Sequence, residues 1–497
     1  MAQKLTLANL PKLAETVARP SYGRADLSAG ILHIGVGNFH RAHQAVYLDR
    51  LFDMGESRDW AIVGAGVKHF DQATRDRLEG QDWLSTIVEL DPDQLGARVN
   101  GAMIDFLPVD PAAIVAKLAD PAIRIVSLTV TEGGYYVDAL TGGFDTRHPE
   151  VQADAGAPAS PKTVFGMIIA GLRARRDAGQ VPFTVMSCDN LPENGHVARN
   201  SVLGMARLVD ADLADWIADN VAFPNGMVDC ITPATTDRER ALVRDRFGIE
   251  DAAPVICEPF HQWVLEDHFT AGRPALEKVG VEFVDNVTPY ELMKLRILNG
   301  GHAAIAYVGA LLGHTYSYEA MNDPDIAAWY AHLGRTEIIP TLDPIAGVDF
   351  DAYLTTCIAR FGNTAVADTV ARLCLDGSNR QPKFILPTLR DALAQKGAID
   401  GLALEIALWC RFCAATADAG SELALEDERA RALSKAALAT RDTPDAFLGI
   451  TDVFGDLQRN ARLCAAFSDW MQMLWAHDPR TVLRAYVAGP EAMRKLA

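Results

Sequence analysis

Four short apolar runs, at residues 31–37, 60–66, 123–131 and 183–188, constrain this chain more than any other feature. Each has the length of a buried strand, and the first two end in Gly35-Val36-Gly37 and Gly64-Ala65-Gly66. Helical patterns lie between several of them, as at residues 163–178, and another follows the fourth at residues 197–208. A continuously apolar strand has both faces covered, which is the condition of a parallel sheet flanked by helices. Strand, helix and strand in succession therefore predict a doubly wound sheet. From about residue 289 the texture changes. Residues 290–312 read as one long helical segment, and the Ala- and Leu-rich sequence beyond it contains no strand pattern. Asp323-Pro324, Asp343-Pro344, Gln381-Pro382 and Thr443-Pro444 divide it into helices and loops. The expected fold is α/β: a doubly wound domain over residues 1–285, followed by a mostly α-helical domain over residues 286–497.

A chain of 497 residues exceeds one ordinary domain, and 49% hydrophobic with 22% charged residues is a globular balance. A formal charge of −19 opposes nucleic-acid binding, which needs a basic face, and opposes anionic lipid surfaces. No window approaches the roughly 18 uncharged apolar residues of a membrane span. The N-terminus lacks the basic-then-apolar pattern of a signal peptide. Eight scattered cysteines, most in apolar surroundings, are expected to be reduced core thiols. The expectation is a cytoplasmic enzyme acting on a small molecule, without nucleic-acid or membrane partners, as a monomer or small homo-oligomer.

Two glycines directly after a buried strand and before a helix suit a dinucleotide. Gly35 permits the tight turn, and Gly37 lets backbone N–H groups approach a pyrophosphate. Phe39 and Arg41 follow in the same loop, and a guanidinium there is placed to pair with phosphate. His40 stands where the third glycine of such a motif falls. After the second run Asp71 is the nearest carboxylate for a ribose diol, with Lys68 and His69 beside it as partners for a 2′-phosphate. NAD is expected, with NADP as the weaker alternative. Glu132 and Asn190 occupy the C-terminal ends of the third and fourth runs, where open α/β sheets bind ligands.

The second chemical stretch runs from Glu291 through Lys294 and Asn299 to His302. On a regular α-helix Asn299 and His302 lie about 140° and 80° round from Lys294, so the three share one broad face. Apolar surroundings would favour a neutral Lys294 amine, the form that removes a proton from an alcohol. Asn299 would hold the developing oxyanion, His302 a hydroxyl, and Glu291 would relay the proton. Metal chemistry finds little support. Cys410 and Cys413 lie in a helical pattern without a second pair, and His40 and His43 lack a third ligand.

Taken together, these stretches resemble the polyol-specific long-chain dehydrogenases, the family of mannitol 2-dehydrogenases and fructuronate reductases. The matching pieces are residues 35–43, 127–133, 185–190, 223–229, Cys257-Glu-Pro-Phe260 with Gln262-Trp263, and Met293-Lys294 through Asn299 to His302. The resemblance implies a Rossmann-type first domain, a helical second domain and no metal. It implies Lys294 as general base, Asn190 and Asn299 as the oxyanion-binding pair, His302 as substrate holder and Glu291 as proton gate. It also implies substrate contacts at Asp229 and, more weakly, Lys383, and an NAD-selecting role for Asp71. The implied reaction is D-mannitol + NAD⁺ to D-fructose + NADH, reversibly. Alternatives are D-arabinitol or D-sorbitol oxidation, a fructuronate reductase using Arg296 and Arg380 for the substrate carboxylate, or a non-catalytic polyol-binding protein. One departure stands out: the family's Met-Val-Asp-Arg is here Met227-Val228-Asp229-Cys230.

Overall fold

The computed structural model describes residues 2–138, 141–416 and 423–496. It comprises two compact units, Met1–Thr288 and Pro289–Ala497. The first is built on five parallel strands: β1 (Ala29–Ile34), β2 (Ala61–Ala65), β3 (Met103–Phe106), β4 (Ile125–Leu128) and β5 (Thr184–Ser187). Their order is β3-β2-β1-β4-β5. The chain thus winds outward from β1 to β3 and then crosses back to β4 on the other side of β1. The carboxyl ends of β1 and β4, where that reversal occurs, are the switch point at which sheets of this kind bind ligands. Leu32, Val63 and Val126 face one core with the helices Pro111–Ala119, Val164–Asp177 and Asn194–Val209. Ile31, Ile62 and Ile125 face a second core with the helix Gln44–Asp53. Burial on both faces explains the continuous apolar runs, since each such side chain contributes roughly 1.5–3 kcal/mol.

Four of the five strands overlap those runs, whereas β3 has no counterpart among them. It is an edge strand of four residues with Asp105 exposed, too short and too mixed to announce itself. Smaller sheets complete the unit. Ser85–Leu90 and Leu95–Asn100 form an antiparallel pair, with Val255–Cys257 alongside the first and Val17–Ala18 alongside the second. The stretch 223–229 ends in the buried strand Gly226–Asp229, antiparallel to Gln262–Glu266.

The second unit is helical; among the described residues its only bridge of strand type joins Tyr316 and Thr369. Its centre is the helix Asp400–Ala415, packed on Gly300–Leu311, Ala430–Ala439 and Ala461–Ala476. Cys410 and Cys413 are buried on that helix, where burial pushes both thiols up, away from the reactive thiolate. Among the described residues no helix is long and apolar enough to cross a membrane.

Candidate active site

The turn after β1 is built around Gly35. Its φ of +101° lies in the left-handed region, and a Cβ there would sit 2.1 Å from the Thr129 carbonyl oxygen. Glycine is required twice over. Gly37 differs: the nearest heavy atom to a Cβ would be Gly35 O, 3.8 Å away. The protein itself leaves room for a side chain at this exposed position. What glycine preserves there is clear backbone above the turn, the surface a pyrophosphate needs. The turn therefore fits a dinucleotide.

Beneath it, His33 and His40 stack with ring centroids 3.4 Å apart and planes 11° from parallel. His33 Nδ1 meets Ser127 Oγ at 2.8 Å, while Nε2 lies 2.9 Å from Thr129 Oγ1 and 3.2 Å from Gly35 O. Burial drives His33 down to about 3 and His40 well below its ordinary value, so both rings are neutral. In place of a third glycine, which would bring helix and sheet into close contact, a flat ring fills the space. Phe39, partly buried, stacks on His43 at 4.9 Å.

Arg41 corrects the sequence reading. Its guanidinium was expected to pair with phosphate, but it is buried and turned inward. It donates to Ala253 O, to Ser85 Oγ at 3.3 Å, to Gly37 O at 3.3 Å and to Asn38 Oδ1 at 2.8 Å. Burial lowers it to about 10, which still leaves it charged at neutral pH. Arg41 braces the turn from behind.

Adjacent strand ends bring the remaining first-unit residues into this region. Asp189, after β5, accepts from the backbone N–H groups of Val130 and Thr131 at 3.0 Å each and from Tyr135 O–H at 2.7 Å. It thereby holds the loop after β4, where Thr131 adopts an uncommon φ of +66° and Glu132 stands exposed. Asn190, the next residue, is exposed at the sheet's edge. Asn194 ties the segment down by donating to Asp189 O at 3.1 Å and Gly226 O at 2.7 Å. Sequence reasoning gave Asp189 and Asn194 no role. An Asp or Asn near a strand end signals a turn, but its partners 58 residues earlier and 32 later are tertiary information.

Asp71 opens the helix Asp71–Glu79, and its Oδ2 accepts from Val67 N at 2.8 Å and Lys68 N at 2.9 Å. A Cβ on Gly66 would lie 2.4 Å from Asp71 Cβ, which explains the second Gly-x-Gly. Lys68 Nζ sits 3.8 Å from Glu150. Asp229 is buried at the end of its strand, directly before Cys230.

On the second unit, the stretch read as one helix is interrupted at the chemistry. Thr288–Met293 is α-helical, Lys294–Asn299 is a π-helical turn, and Gly300–Leu311 is α-helical again. Gly300 N–H reaches back five residues to Leu295 O. Such i→i+5 bonding brings residue i+5 back over residue i, so Asn299 lies nearer the Lys294 face than the 140° of a regular helix. Tyr330 O–H donates to Ile297 O at 2.7 Å within the widened turn. Gly301 makes room for that phenol, since a Cβ there would lie 2.4 Å from the Tyr330 hydroxyl.

Lys294 and His302 are only 6% and 8% exposed, Glu291 is buried, and Asn299 is half-buried with its Oδ1 unpartnered. His302 stacks on Phe361 at 4.1 Å, and burial lowers it to about 3, leaving a neutral ring. Phe384 O, next to Lys383, would lie 3.4 Å from a Cβ on Gly300, so the helix Gly377–Phe384 packs on this turn; Lys383 itself is exposed. The two arginines considered for a carboxylate substrate are committed elsewhere. Arg296 donates to Thr341 and Asp391, and Arg380 donates to Leu373 O at 2.7 Å.

A doubly wound sheet with a glycine turn at its switch point, followed by a helical unit with Lys294 and Asn299 on a π-turn and a buried His302 on the next helix, defines a nucleotide-dependent oxidoreductase. The family profile described as the mannitol dehydrogenase Rossmann domain matches residues 29–278, and the mannitol dehydrogenase C-terminal domain matches residues 286–475. A mannitol 2-dehydrogenase of Cereibacter sphaeroides is 56% identical over 96% of this chain and 100% of its own length. The Pseudomonas fluorescens mannitol 2-dehydrogenase, solved as a ternary complex with NAD and D-mannitol, is 44% identical, with a TM-score of 0.85 over 98% of this chain and 100% of that one. A substrate-free D-sorbitol dehydrogenase is 37% identical, with a TM-score of 0.89 over 95% and 98%. The chain belongs to the mannitol dehydrogenase family and is an oxidoreductase acting on a CH–OH group.

Proposed function

We propose that the chain oxidises D-mannitol to D-fructose with NAD⁺, reversibly, using Lys294 as general base. The observation that supports this reading is the π-turn Lys294–Asn299, which carries a buried Lys294 and a half-buried Asn299 and runs directly into the helix bearing buried His302. The relatives named for mannitol supply the substrate, and the turn at Gly35 and Gly37 fits the cofactor. The nicotinamide supplies the acceptor for the hydrogen leaving carbon with its electron pair. The protein's own work is on the oxygen. Lys294 Nζ takes the hydroxyl proton as the carbonyl forms and returns it in the reverse direction. Asn299 meets the oxygen as charge develops, and neutral His302 orients a neighbouring hydroxyl without competing for the proton. Glu291, about one turn before Lys294, passes the proton to solvent.

Asn190, Asp229 and Lys383 keep the roles their family resemblance assigns, and Glu132 a place at the cofactor end of the sheet, each testable by alanine substitution. Eight cysteines without a disulfide support residence in a reducing compartment.

The test is a panel of D-mannitol, D-sorbitol and D-arabinitol with each cofactor, followed by reduced-nicotinamide absorbance. D-mannitol with NAD⁺ should give the highest kcat/KM. A preference for D-sorbitol would transfer the assignment to the substrate of the second solved relative. Lys294→Ala should lose about 10²- to 10⁴-fold in turnover while still binding NADH, and a small added amine should restore part of the rate. Near-normal turnover would remove Lys294 from the mechanism.

A further inference from the structure

The departure at Cys230 acquires a setting in the fold that the oxidoreductase reading does not use. Cys230 follows the strand Gly226–Asp229, Cys257 ends the strand Val255–Cys257, and His261 precedes the strand Gln262–Glu266. The backbone locks the first two segments together. Glu258 N–H donates to Ile231 O at 3.0 Å, and Ile231 N–H donates to Glu258 Oε1 at 2.6 Å. As a result the two thiol sulfurs and a ring nitrogen of His261 all lie within 4.8 Å of one another. Among the described residues this is the one such grouping of His, Cys, Asp and Glu.

We propose that Cys230, Cys257 and His261 form a binding site for a single thiophilic divalent cation of the Zn²⁺ or Cd²⁺ type. Two sulfurs and one imidazole nitrogen are the ligand types such ions prefer, and three protein ligands leave a fourth tetrahedral position for water. The surroundings favour an ion whose charge is cancelled locally. Ala42, Val46, Ile87 and Val255 pack with the two cysteines in a small apolar cluster. In that low-dielectric wall a divalent ion bound by two thiolates is neutral, whereas an ion without them is strongly disfavoured.

His261 is held by the backbone from both sides, and ligation takes one nitrogen from its carbonyl. Its ring lies between Pro259 O at 3.0 Å from Nδ1 and Ala42 O at 3.0 Å from Nε2. Whichever nitrogen binds the ion, the other keeps a backbone carbonyl to receive its N–H. This is the outer-shell arrangement that steadies metal-binding histidines. Both cysteines are buried while His261 is partly exposed, so the imidazole side gives access from solvent. Binding converts two S–H groups into two metal–thiolate bonds and releases both protons to water. None of the three residues belongs to the proposed proton-transfer machinery, so the site is separable from the activity.

The experiment is titration of the reduced full-length chain with Cd²⁺, reading the ultraviolet thiolate-to-metal charge-transfer band. The expected result is saturation at about one equivalent, release of about two protons per ion, displacement by Zn²⁺ and no response to Mg²⁺. Cys257→Ser and Cys230→Ser should each lose most of the band with unchanged circular dichroism. His261→Ala should keep the band but bind at least about tenfold more weakly. Cys410→Ser, on a helix of the other unit, should change nothing. Absence of a band, or one that survives Cys257→Ser at full intensity, overturns the proposal. Because the readout does not involve turnover, failure here leaves the dehydrogenase assignment standing, and failure of that assignment leaves the site standing.

Discussion

Single residues here differ in whether the protein or its ligand demands them, and Gly35 and Gly37 show how to separate the two. Alanine at Gly35 drives a Cβ into the Thr129 carbonyl, so the cost falls on folding. Alanine at Gly37 meets no protein atom closer than 3.8 Å. Gly37→Ala is therefore expected to change stability by less than about 0.5 kcal/mol yet to weaken NADH binding about tenfold or more. Thermal melts beside NADH fluorescence titration check it, and lost stability with intact binding would reverse the assignment. Asp71 serves both purposes. One carboxylate oxygen already organises the Val67-Lys68 backbone, and the residue remains the proposed discriminator against a 2′-phosphate. Repulsion there is worth on the order of 1–3 kcal/mol, and Lys68 is drawn towards Glu150. Asp71→Asn should keep the loop largely ordered while shifting the NAD-to-NADP ratio of kcat/KM towards NADP by about tenfold or more. An unchanged ratio would make Lys68 the residue to test.

Among elements, the π-turn at Lys294–Asn299 holds two of the residues proposed for the chemistry, and a neighbouring helix helps to hold it. A widened turn gives up regular helical hydrogen bonds, and Tyr330 from the helix Pro324–Leu333 supplies one replacement through Ile297 O. Tyr330→Phe removes one of two donors to that carbonyl, which Gly300 N–H also reaches, at a cost of about 0.5–1.5 kcal/mol. The turn should then relax towards regular helix and carry Asn299 away from the Lys294 face. The expected signature is a lower melting temperature and a fall in kcat, with NADH affinity unchanged because the glycine turn belongs to the other unit. A variant that melts lower but turns over normally would show that the π geometry is dispensable.

At the scale of the whole molecule, stability should depend on pH through a buried acid far from the chemistry in sequence. Glu405 lies inside the central helix of the second unit, where burial raises it from 4.5 to about 8 despite a 2.6 Å hydrogen bond from Gln381. Between those values the folded chain holds a proton that the unfolded chain has released. The folded state is therefore favoured less as pH rises: the contribution is intact below about 4.5 and lost by about 8. At about 1.4 kcal/mol per unit, the loss across the window is on the order of a few kcal/mol. Calorimetry from pH 5 to 8 should show a falling midpoint in wild type and a flatter, higher one in Glu405→Gln. Parallel curves would mean that Glu405 is not the group responsible.

Much of this protein was legible in its sequence because local rules and tertiary demands coincide there. Strands buried on both faces must be apolar throughout, so β1, β2, β4 and β5 announced themselves, and the strand-helix order implied the parallel sheet. The glycine turn was visible because close backbone approach admits few residue types, and Lys294, Asn299 and His302 stood out through the family resemblance rather than through their spacing. Other features depend on partners that are near only after folding. Arg41 reads as a phosphate ligand until Ala253, more than 200 residues later, takes its guanidinium. The helix through Lys294 reads as regular until Tyr330 enters its widened turn. The cysteines read as scattered until two strands and a loop bring Cys230 and Cys257 beside His261. Sequence determines which residues prefer burial, turns or charge; only the tertiary structure decides which competing partner each polar group meets, because those bonds span distances along the chain that no local pattern encodes.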